Sequence, residues 1–412
     1  MTSSISKLSL SSTIPLPEKS TLMPCMNDPE PEVSIVMPCL NEAESLEACI
    51  KEAIAAIKLS GTTGEVVIAD NGSTDESVKI ALSAGARVVH VEQKGYGNAL
   101  QGGINEARGT FVLMGDADGS YDFRELPEFL KLLRDGCDLV MGCRLPKGGG
   151  TIEKGAMPWK HRWIGNPVLS GLGKLFFASP VVDFHCGLRA FRREAILNLD
   201  LKTPGMEYAS EMVIKAQLQF LKIGQIPITL RCDKRTSPPH LRSFRDGWRH
   251  LRFMLLYTPK WLFVFPGLIL FLTGLAGSLI LLPKPLTISG VTLDLNTLLV
   301  SSTAMLVGFQ LCFFGIFTKA YGVSIGLLPG KDYWLKLING KSVEIGIIAG
   351  FIIILTGAAI LGYALIGWKN AGFGELSYQE SLRQVIPAVT CLGLGIQTVV
   401  SGFALAILGL KK

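Results

Sequence analysis

Among 412 residues there is no Cys-x-x-Cys pair, no Gly-x4-Gly-Lys-Ser/Thr run and, over residues 1–32, no apolar stretch of signal-peptide length. Each absence removes a class of protein. Nine cysteines, an odd number without paired spacing, signal neither a disulfide framework nor a zinc site, so free thiols in a reducing compartment are expected. Without the phosphate-gripping loop consensus, that cradle is not encoded. Gly95-x-Gly97 has the start of a dinucleotide fingerprint, but it follows the third strand candidate rather than the first and carries Leu100 where the third glycine belongs. This disfavours NAD. Residues 1–32, rich in Ser, Thr and Pro, read as a disordered tail.

Charge is also scarce beyond Lys260, where long uncharged apolar runs take over. Four stand out: Trp261 to Leu282, Leu295 to Thr318, Ile345 to Trp368 and Val385 to Leu410. Each exceeds the roughly 20 apolar residues that cross a bilayer core as a helix, so four transmembrane helices are expected over 261–412. The net charge of +6 could suggest nucleic acid, but the basic residues are placed as for a membrane surface. Lys319, Lys331, Lys336 and Lys341 flank the loop between the second and third runs, Lys411 and Lys412 follow the fourth, and a dense Arg group precedes the first. With four crossings these positions share one side, which the positive-inside tendency makes cytoplasmic. The expectation is a multi-pass protein of a bacterial plasma membrane, in contact with lipids and with no nucleic acid partner.

From Val33 to about residue 240 the chain alternates strand and helix signals. Val33 to Met37, Glu65 to Ala69, Arg87 to Val91, Phe111 to Met114 and Asp138 to Gly142 read as five short strands. Helical stretches lie between them, for example from Asn41-Glu42 to about Leu59. The alternation predicts an α/β domain with a mainly parallel, Rossmann-like sheet in three layers. Ligands sit at the carboxyl ends of such strands. In this chain those ends carry Asn41 and Glu42, then Asp70, then Lys94, then Asp116 and Asp118. Any one of them alone is a common turn or cap residue. Four in a row at one sheet edge predict a crevice with a metal at its centre and a diphosphate across it.

The runs Pro38-Cys39-Leu40-Asn41-Glu42, Asp70-Asn71-Gly72-Ser73-Thr74-Asp75, Lys94-Gly95-x-Gly97-Asn98-Ala99 and Asp116-Ala117-Asp118 resemble the successive signatures of family-2 inverting glycosyltransferases with the GT-A fold. With the membrane tail, the chain is most similar to the polyprenyl-phosphate and dolichyl-phosphate hexose synthases. The resemblance covers roughly Val33 to His250. It implies a nucleotide-sugar donor, of UDP-glucose or GDP-mannose type, and a polyprenyl phosphate acceptor such as undecaprenyl or dolichyl phosphate. It leaves homo-oligomerisation open.

Cleavage of a glycosyl phosphate bond leaves a nucleoside diphosphate whose growing charge a divalent cation can stabilise. Mg²⁺ and Mn²⁺ suit carboxylate oxygens, so Asp118 is expected to bind the metal and Asp116 the metal or the ribose. The resemblance assigns Asp70 to the base and the Pro38 to Glu42 turn to the nucleoside. Lys94, with Gly95 beside it, and Arg144 follow the third and fifth strands and can add cationic contacts to phosphates. A lipid monophosphate is already anionic, so positioning should matter more than a strong base.

The segments from Val182 to Arg189 and from Met206 to Met212 resemble the second half of the family's site. They offer Asp183 first, and Glu211 second, to assist the acceptor, with Arg189 on the substrate side. Glu211 can equally be a helix N-terminal carboxylate stabilised by the dipole. His185 beside Cys186 reads as core packing rather than a metal pair. Arg231, Lys234 and Arg235 stand where the family has a basic segment that closes on the diphosphate, although Ser237-Pro238-Pro239-His240 replaces the commoner Gly-Glu-Ser-Lys.

Residues 241–260 predict an amphipathic juxtamembrane helix that links the crevice to the first span, either lying in the membrane interface or packed on the domain. Phe244, Trp248, Leu251 and Leu255 share one stripe, while Arg242, Arg245, Arg249 and Arg252 share a neighbouring face suited to lipid phosphates. A processive polysaccharide synthase should carry a Gln-x-x-Arg-Trp motif, which Arg245-Asp246-Gly247-Trp248 does not supply. A non-enzymatic scaffold with a relic nucleotide fold should have a degraded acidic site, whereas Asp70, Asp116 and Asp118 are all present.

Overall fold

The computed structural model describes residues 30–233, 243–324, 328 and 340–409. Of the expected tail only residues 30–32 are among them, and Glu32 is not loose: its N–H donates to the Thr63 carbonyl at 2.9 Å and its carboxylate pairs with Arg134 at 2.8 Å. Lys234, Arg235 and the Pro-Pro-His run lie outside the described residues, as do Lys331, Lys336, Lys411 and Lys412.

Five strands follow the predicted order: β1 (Val33–Cys39), β2 (Gly64–Asp70), β3 (Arg87–His90), β4 (Phe111–Met114) and β5 (Leu139–Cys143). They alternate with α1 (Leu46–Leu59), α2 (Ser77–Ser83), α3 (Tyr96–Glu106) and α4 (Leu126–Arg134). The chain continues through β6 (Thr151–Ile152), α5 (Asn166–Phe177), β7 (Arg189–Arg192), α6 (Arg193–Leu197), α7 (Tyr208–Leu218), β8 (Ile223–Pro227) and β9 (Thr229–Leu230). Seven strands form one sheet in the order β3-β2-β1-β4-β7-β5-β8, and β6 pairs with β9 beside it. β7 runs antiparallel to both β4 and β5, the one reversal in the main sheet.

Why the sheet is buried on both faces is visible in β1. Val33, Ile35, Met37 and Cys39 point into one core with α1 and α4, and Val36 into a second core with α3 and α7. Side chains alternate across a strand, so an almost unbroken apolar run fills both layers. The polar exits of β1, β2 and β4 then fall at one edge, where the site forms.

Beyond the sheet come α8 (Ser243–Leu256), α9 (Phe265–Leu281), a hairpin of β10 (Leu286–Ile288) and β11 (Val291–Leu293), then α10 (Leu295–Ser324), α11 (Gly340–Asn370) and α12 (Tyr378–Gly409). Among the described residues four helices are long and apolar enough to cross a membrane, at Lys260–Leu281, Leu295–Ser324, Lys341–Asn370 and Tyr378–Leu408. These coincide with the four runs read from sequence. Close approach is made by small residues: a Cβ on Gly267 would lie 2.8 Å from the Gly308 carbonyl, and one on Gly350 would lie 3.0 Å from the Gly395 carbonyl. At the far ends of α9, α10 and α12, Arg383 pairs with Asp294 and donates to the Leu282 carbonyl at 3.1 Å, tying the two helical hairpins together.

The membrane helices and the sheet are not joined by a loose tether. Met254 and Tyr257, at the end of α8 and just after it, are buried in the second core, and Val323 at the end of α10 packs against the same core. Trp248, on the apolar stripe, is 56% exposed, as a stripe turned to a membrane interface would be. The buried face is rotated towards Met254 because that is the side α7 meets.

Candidate active site

A cleft of about 490 Å³ opens at the carboxyl edge of β1, β2 and β4. This is an ordinary size for a small-molecule site. Of the residues expected there, Pro38, Glu42, Lys94, Gly95, Asp116 and Asp118 line it. Asn71, Tyr96, Met206, Arg245 and Arg249 line it as well. Nothing local in the sequence distinguishes Asn71 or Tyr96, and periodicity alone puts the two arginines on a face suited to lipid phosphates.

The two carboxylates after β4 are held from different directions. Asp118 accepts from the Ser120 amide at 3.0 Å, the short turn that ends the strand. Asp116 accepts from the Tyr96 hydroxyl at 2.9 Å. On its other side stands Gly187, where a Cβ would sit 3.1 Å from the second Asp116 oxygen. The Gly187 amide donates to the Tyr121 hydroxyl at 2.8 Å, so the backbone is pinned as it passes the carboxylate.

Lys94 and Gly95 are placed by Asn71. Its side chain donates to the Val91 and Gln93 carbonyls at 3.0 and 2.8 Å and accepts from the Gly95 amide at 2.7 Å. The Lys94 ammonium in turn donates to the Asn71 carbonyl at 2.6 Å. Gly95 has φ 133°, and any Cβ there would lie 2.2 Å from the Pro204 carbonyl, so the position excludes other residues on both counts.

That contact explains Glu211. Its carboxylate accepts from the Lys202 and Thr203 amides at 3.0 and 2.8 Å and from the Thr203 hydroxyl at 2.6 Å, and pairs with Lys215 at 2.8 Å. It sits in the first turn of α7, where the helix dipole favours a carboxylate. Glu211 thus fixes the segment that lies over Gly95 rather than facing the cleft.

Asp183 also stands apart from the cleft. It is fully buried and accepts from Arg144 three times, from the backbone amide at 3.0 Å, Nε at 2.7 Å and Nη2 at 2.9 Å. Burial pushes the Asp183 carboxyl up, but the Arg144 guanidinium outweighs it and holds the group below the usual range. Arg144 is consumed by the same pair and does not line the cleft.

Arg189 is equally occupied: it is fully buried and donates to the Cys186 carbonyl at 2.7 Å, the Phe184 carbonyl at 3.4 Å and the Ala209 carbonyl. Arg231 donates to both oxygens of Glu52, at 3.2 and 3.1 Å, and pairs with Asp122. A guanidinium shared by two carboxylates is not aimed at a diphosphate.

Asp70 ends β2 as expected, but its carboxylate turns back on its own loop. It accepts from the Gly72 and Ser73 amides at 3.2 and 3.0 Å and meets His90 Nδ1 at 3.2 Å. Burial raises this carboxyl, and the hydrogen bonds from Ser73, His90 and Gly72 more than offset it, leaving the group below its ordinary value. Asn41, with φ 59°, ties the β1 exit to the same loop: its amide donates to Ser73 Oγ at 3.0 Å and its side chain accepts from the Thr74 amide at 2.8 Å. Both residues shape the cleft wall without lining it.

His185 and Cys186 behave as packing residues. Burial pushes the Cys186 thiol up to about 12. His185 stacks edge-on to His250 of α8 with ring centres 4.8 Å apart, and Ser210 lies within hydrogen-bond reach of both rings, at 3.3 and 2.8 Å. Burial first, and His250 second, hold the His185 imidazole well below its ordinary pKa. This cluster joins α8 to α7, which brings Arg245 and Arg249 over the cleft.

A mainly parallel sheet with one reversed strand, carrying Asp116 and Asp118 at its carboxyl edge and followed by four apolar helices, is the arrangement expected of a GT-A domain with a membrane domain. Comparison with known proteins agrees: residues 34–199 match Glycosyl transferase family 2, and residues 316–409 match the Glycosyltransferase family 2 C-terminal transmembrane region. The chain is 36% identical over 363 residues to the low-salt glycan biosynthesis hexosyltransferase Agl6 of Haloferax volcanii, covering 88% of this chain and 85% of that one. It is 32% identical over 202 residues to a dolichyl-phosphate hexose transferase of the same organism, covering 49% of this chain and 84% of that one. Among solved structures it is similar to glucosyl-3-phosphoglycerate synthase from Mycobacterium tuberculosis, at 23% identity and a TM-score of 0.43, covering 55% of this chain and 78% of that chain. The chain belongs to glycosyltransferase family 2.

Proposed function

We propose that the protein transfers one hexose from a nucleotide sugar to a polyprenyl phosphate, with inversion, at the cytoplasmic face of a plasma membrane. The observation that carries this reading is the meeting of two sets of side chains in one cleft. Asp116 and Asp118 come from the sheet, and Arg245 and Arg249 come from the helix that leads into the membrane. Anionic and cationic walls face the same space, which suits a donor diphosphate and an acceptor phosphate side by side. The similarity to a dolichyl-phosphate hexose transferase supports such an acceptor. The basic residues that flank the spans support a cytoplasmic catalytic part.

The donor set fits a small divalent cation. Among the described residues no group of three or more His, Cys, Asp or Glu side chains converges on a metal position. Mg²⁺ characteristically takes one or two carboxylates and completes its shell with phosphate oxygens and water, and Asp116 with Asp118 supplies that number. When bound, such an ion, Mg²⁺ or Mn²⁺, neutralises charge on the leaving diphosphate. The other roles belong to the chain itself. Lys94 and the Pro38 to Glu42 turn border the nucleotide, and Tyr96 orients Asp116.

The acceptor phosphate oxygen attacks the anomeric carbon, and the bond from that carbon to the donor phosphate breaks with its electron pair leaving on the diphosphate. An ionised phosphate needs no proton removed, so the withdrawal of Asp183 and Glu211 from the cleft leaves the step complete. Their role in this reading is to hold the cleft walls. Arg245 and Arg249 hold the acceptor by charge-assisted contacts.

Titrating UDP and GDP into the purified protein, with and without Mn²⁺, tests the arrangement. Metal-dependent binding of one of them, lost in Asp118→Asn with the melting temperature unchanged, is the expected result. Equal binding without metal, or in Asp118→Asn, overturns the assignment.

A further inference from the structure

One surface of the catalytic domain has no role in the cleft. Between β6 and β7 the chain forms a wide helical turn at His161–Gly165 that runs directly into α5. Ser170, Gly173 and Phe177 form the inner face of α5 and are buried, with Gly173 against Phe184. The opposite face is apolar and open. Trp163 is 69% exposed, Val168 53% and Leu175 54%, with Trp159 and Ile164 beside them. At 100° per residue, Val168 and Leu175 fall within one narrow sector of α5, opposite Ser170, Gly173 and Phe177, and Trp159, Trp163 and Ile164 are exposed in the turn that precedes it.

Two further features say what covers this face. From Pro158 to Phe177 there is no acidic residue, while Lys160, Arg162 and Lys174 are all basic. The Arg162 guanidinium lies 5.5 Å from the Trp163 ring centre. Large exposed aromatic and aliphatic residues among cations are the composition of a helix lying in a membrane interface rather than of a face awaiting a protein. The position is also right: the Phe176 ring lies 5.6 Å from that of Trp261, at the start of the first apolar span. The open face therefore adjoins the point where the chain enters the bilayer.

We propose that the outer face of residues 159–175 is a second membrane contact, seated in the headgroup region of the leaflet that the first span enters, with preference for anionic lipid. It rests on the membrane domain and not on the identity of donor or acceptor. Together with the first span it holds the catalytic domain at two points, which fixes the tilt of the cleft relative to the lipid surface.

The test uses the full chain in proteoliposomes of phosphatidylcholine, with or without phosphatidylglycerol, carrying a photoreactive benzoylphenylalanine at Val168 or, in a second variant, at Trp163. Ile352, exposed on α11, serves as a lipid-facing control and Leu82, exposed on α2, as an aqueous one. Lipid adducts at Val168 or Trp163, approaching the Ile352 yield and rising severalfold with phosphatidylglycerol, are expected. Adducts no more frequent than at Leu82, or adducts only to a second protein chain, overturn the proposal. A yield indifferent to phosphatidylglycerol overturns its preference for anionic lipid. Unchanged melting temperature and elution volume of each variant exclude misfolding as the cause.

Discussion

The Tyr96 hydroxyl donates to Asp116 at 2.9 Å, so the first turn of α3 sets the direction of the first carboxylate after β4. Burial and the neighbouring Asp116 charge push the Tyr96 phenol well above its ordinary pKa, and it stays a donor at every working pH. Removing only the hydroxyl, in Tyr96→Phe, leaves the ring in place and frees Asp116 to turn. Loss of such a support to a metal-binding group typically costs about 10–100-fold in metal affinity. The expected outcome is a rise of that order in the Mn²⁺ concentration needed for half-maximal nucleotide binding, at an unchanged melting temperature. An unaltered Mn²⁺ dependence would remove Tyr96 from the site.

The pair of Arg144 and Asp183 leads to a stability prediction instead. Asp183→Asn leaves a buried guanidinium without its counter-charge, a change that costs about 3–5 kcal/mol. A lowered folded-state pKa means that the contribution of Asp183 is complete above its unfolded value of about 3.9 and is lost only as pH falls through the lower folded value. Thermal melting should therefore show a deficit for Asp183→Asn that is constant from neutral pH to pH 5. If Asp183 were the acceptor's base, the same variant would instead melt normally and lose turnover.

His185 acts in the adjacent pH window. Its folded-state pKa lies well below that of the unfolded chain, so the unfolded state binds the extra proton first. The stability due to neutral His185 is complete above about pH 6.5 and declines as pH falls below it. In His185→Gln the fall in melting temperature between pH 7.5 and pH 5.5 should shrink. A slope equal to that of the wild type would locate the titration elsewhere.

Much of this was legible in the chain, for identifiable reasons. The strands β1, β2, β4 and β5 are short apolar runs closed by polar residues, and a buried parallel sheet leaves them few alternatives. The four spans are longer than any soluble core requires. Strand ends led to Glu42, Lys94, Asp116 and Asp118, which line the cleft, and to Asn41 and Asp70, which stand behind its wall, while the Pro38 turn came from the family resemblance. What sequence could not show is where a charged side chain finds its partner. Asp183 and Arg144 are 39 residues apart and Arg231 and Glu52 are 179 apart, and only the folded sheet brings each pair together. Periodicity grouped the arginines of α8 on one face, but not that Arg245 and Arg249 on it reach the cleft. Tyr96 was passed over because nothing local distinguishes it from a core aromatic.

Arg245 and Arg249 test the acceptor side. A hydrogen bond to a charged group contributes about 1.5–3 kcal/mol, which corresponds to roughly 10–100-fold in affinity. Replacing either arginine with alanine should raise the KM for polyprenyl phosphate by that order while leaving nucleotide binding within a few-fold of wild type. A selective loss of nucleotide affinity would place these side chains on the donor.

Hexose transfer itself separates a lipid-phosphate acceptor from every other. Purified protein is incubated with Mg²⁺ or Mn²⁺ and each of a panel of radiolabelled nucleotide sugars, UDP-glucose and GDP-mannose among them, together with either polyprenyl phosphate or the unphosphorylated polyprenol. One donor is expected to label the phosphorylated lipid with a single acid-labile hexose and to leave the alcohol unlabelled. No labelled lipid from any donor under conditions where nucleotide binds, or equal labelling of the alcohol, would contradict the proposed transfer.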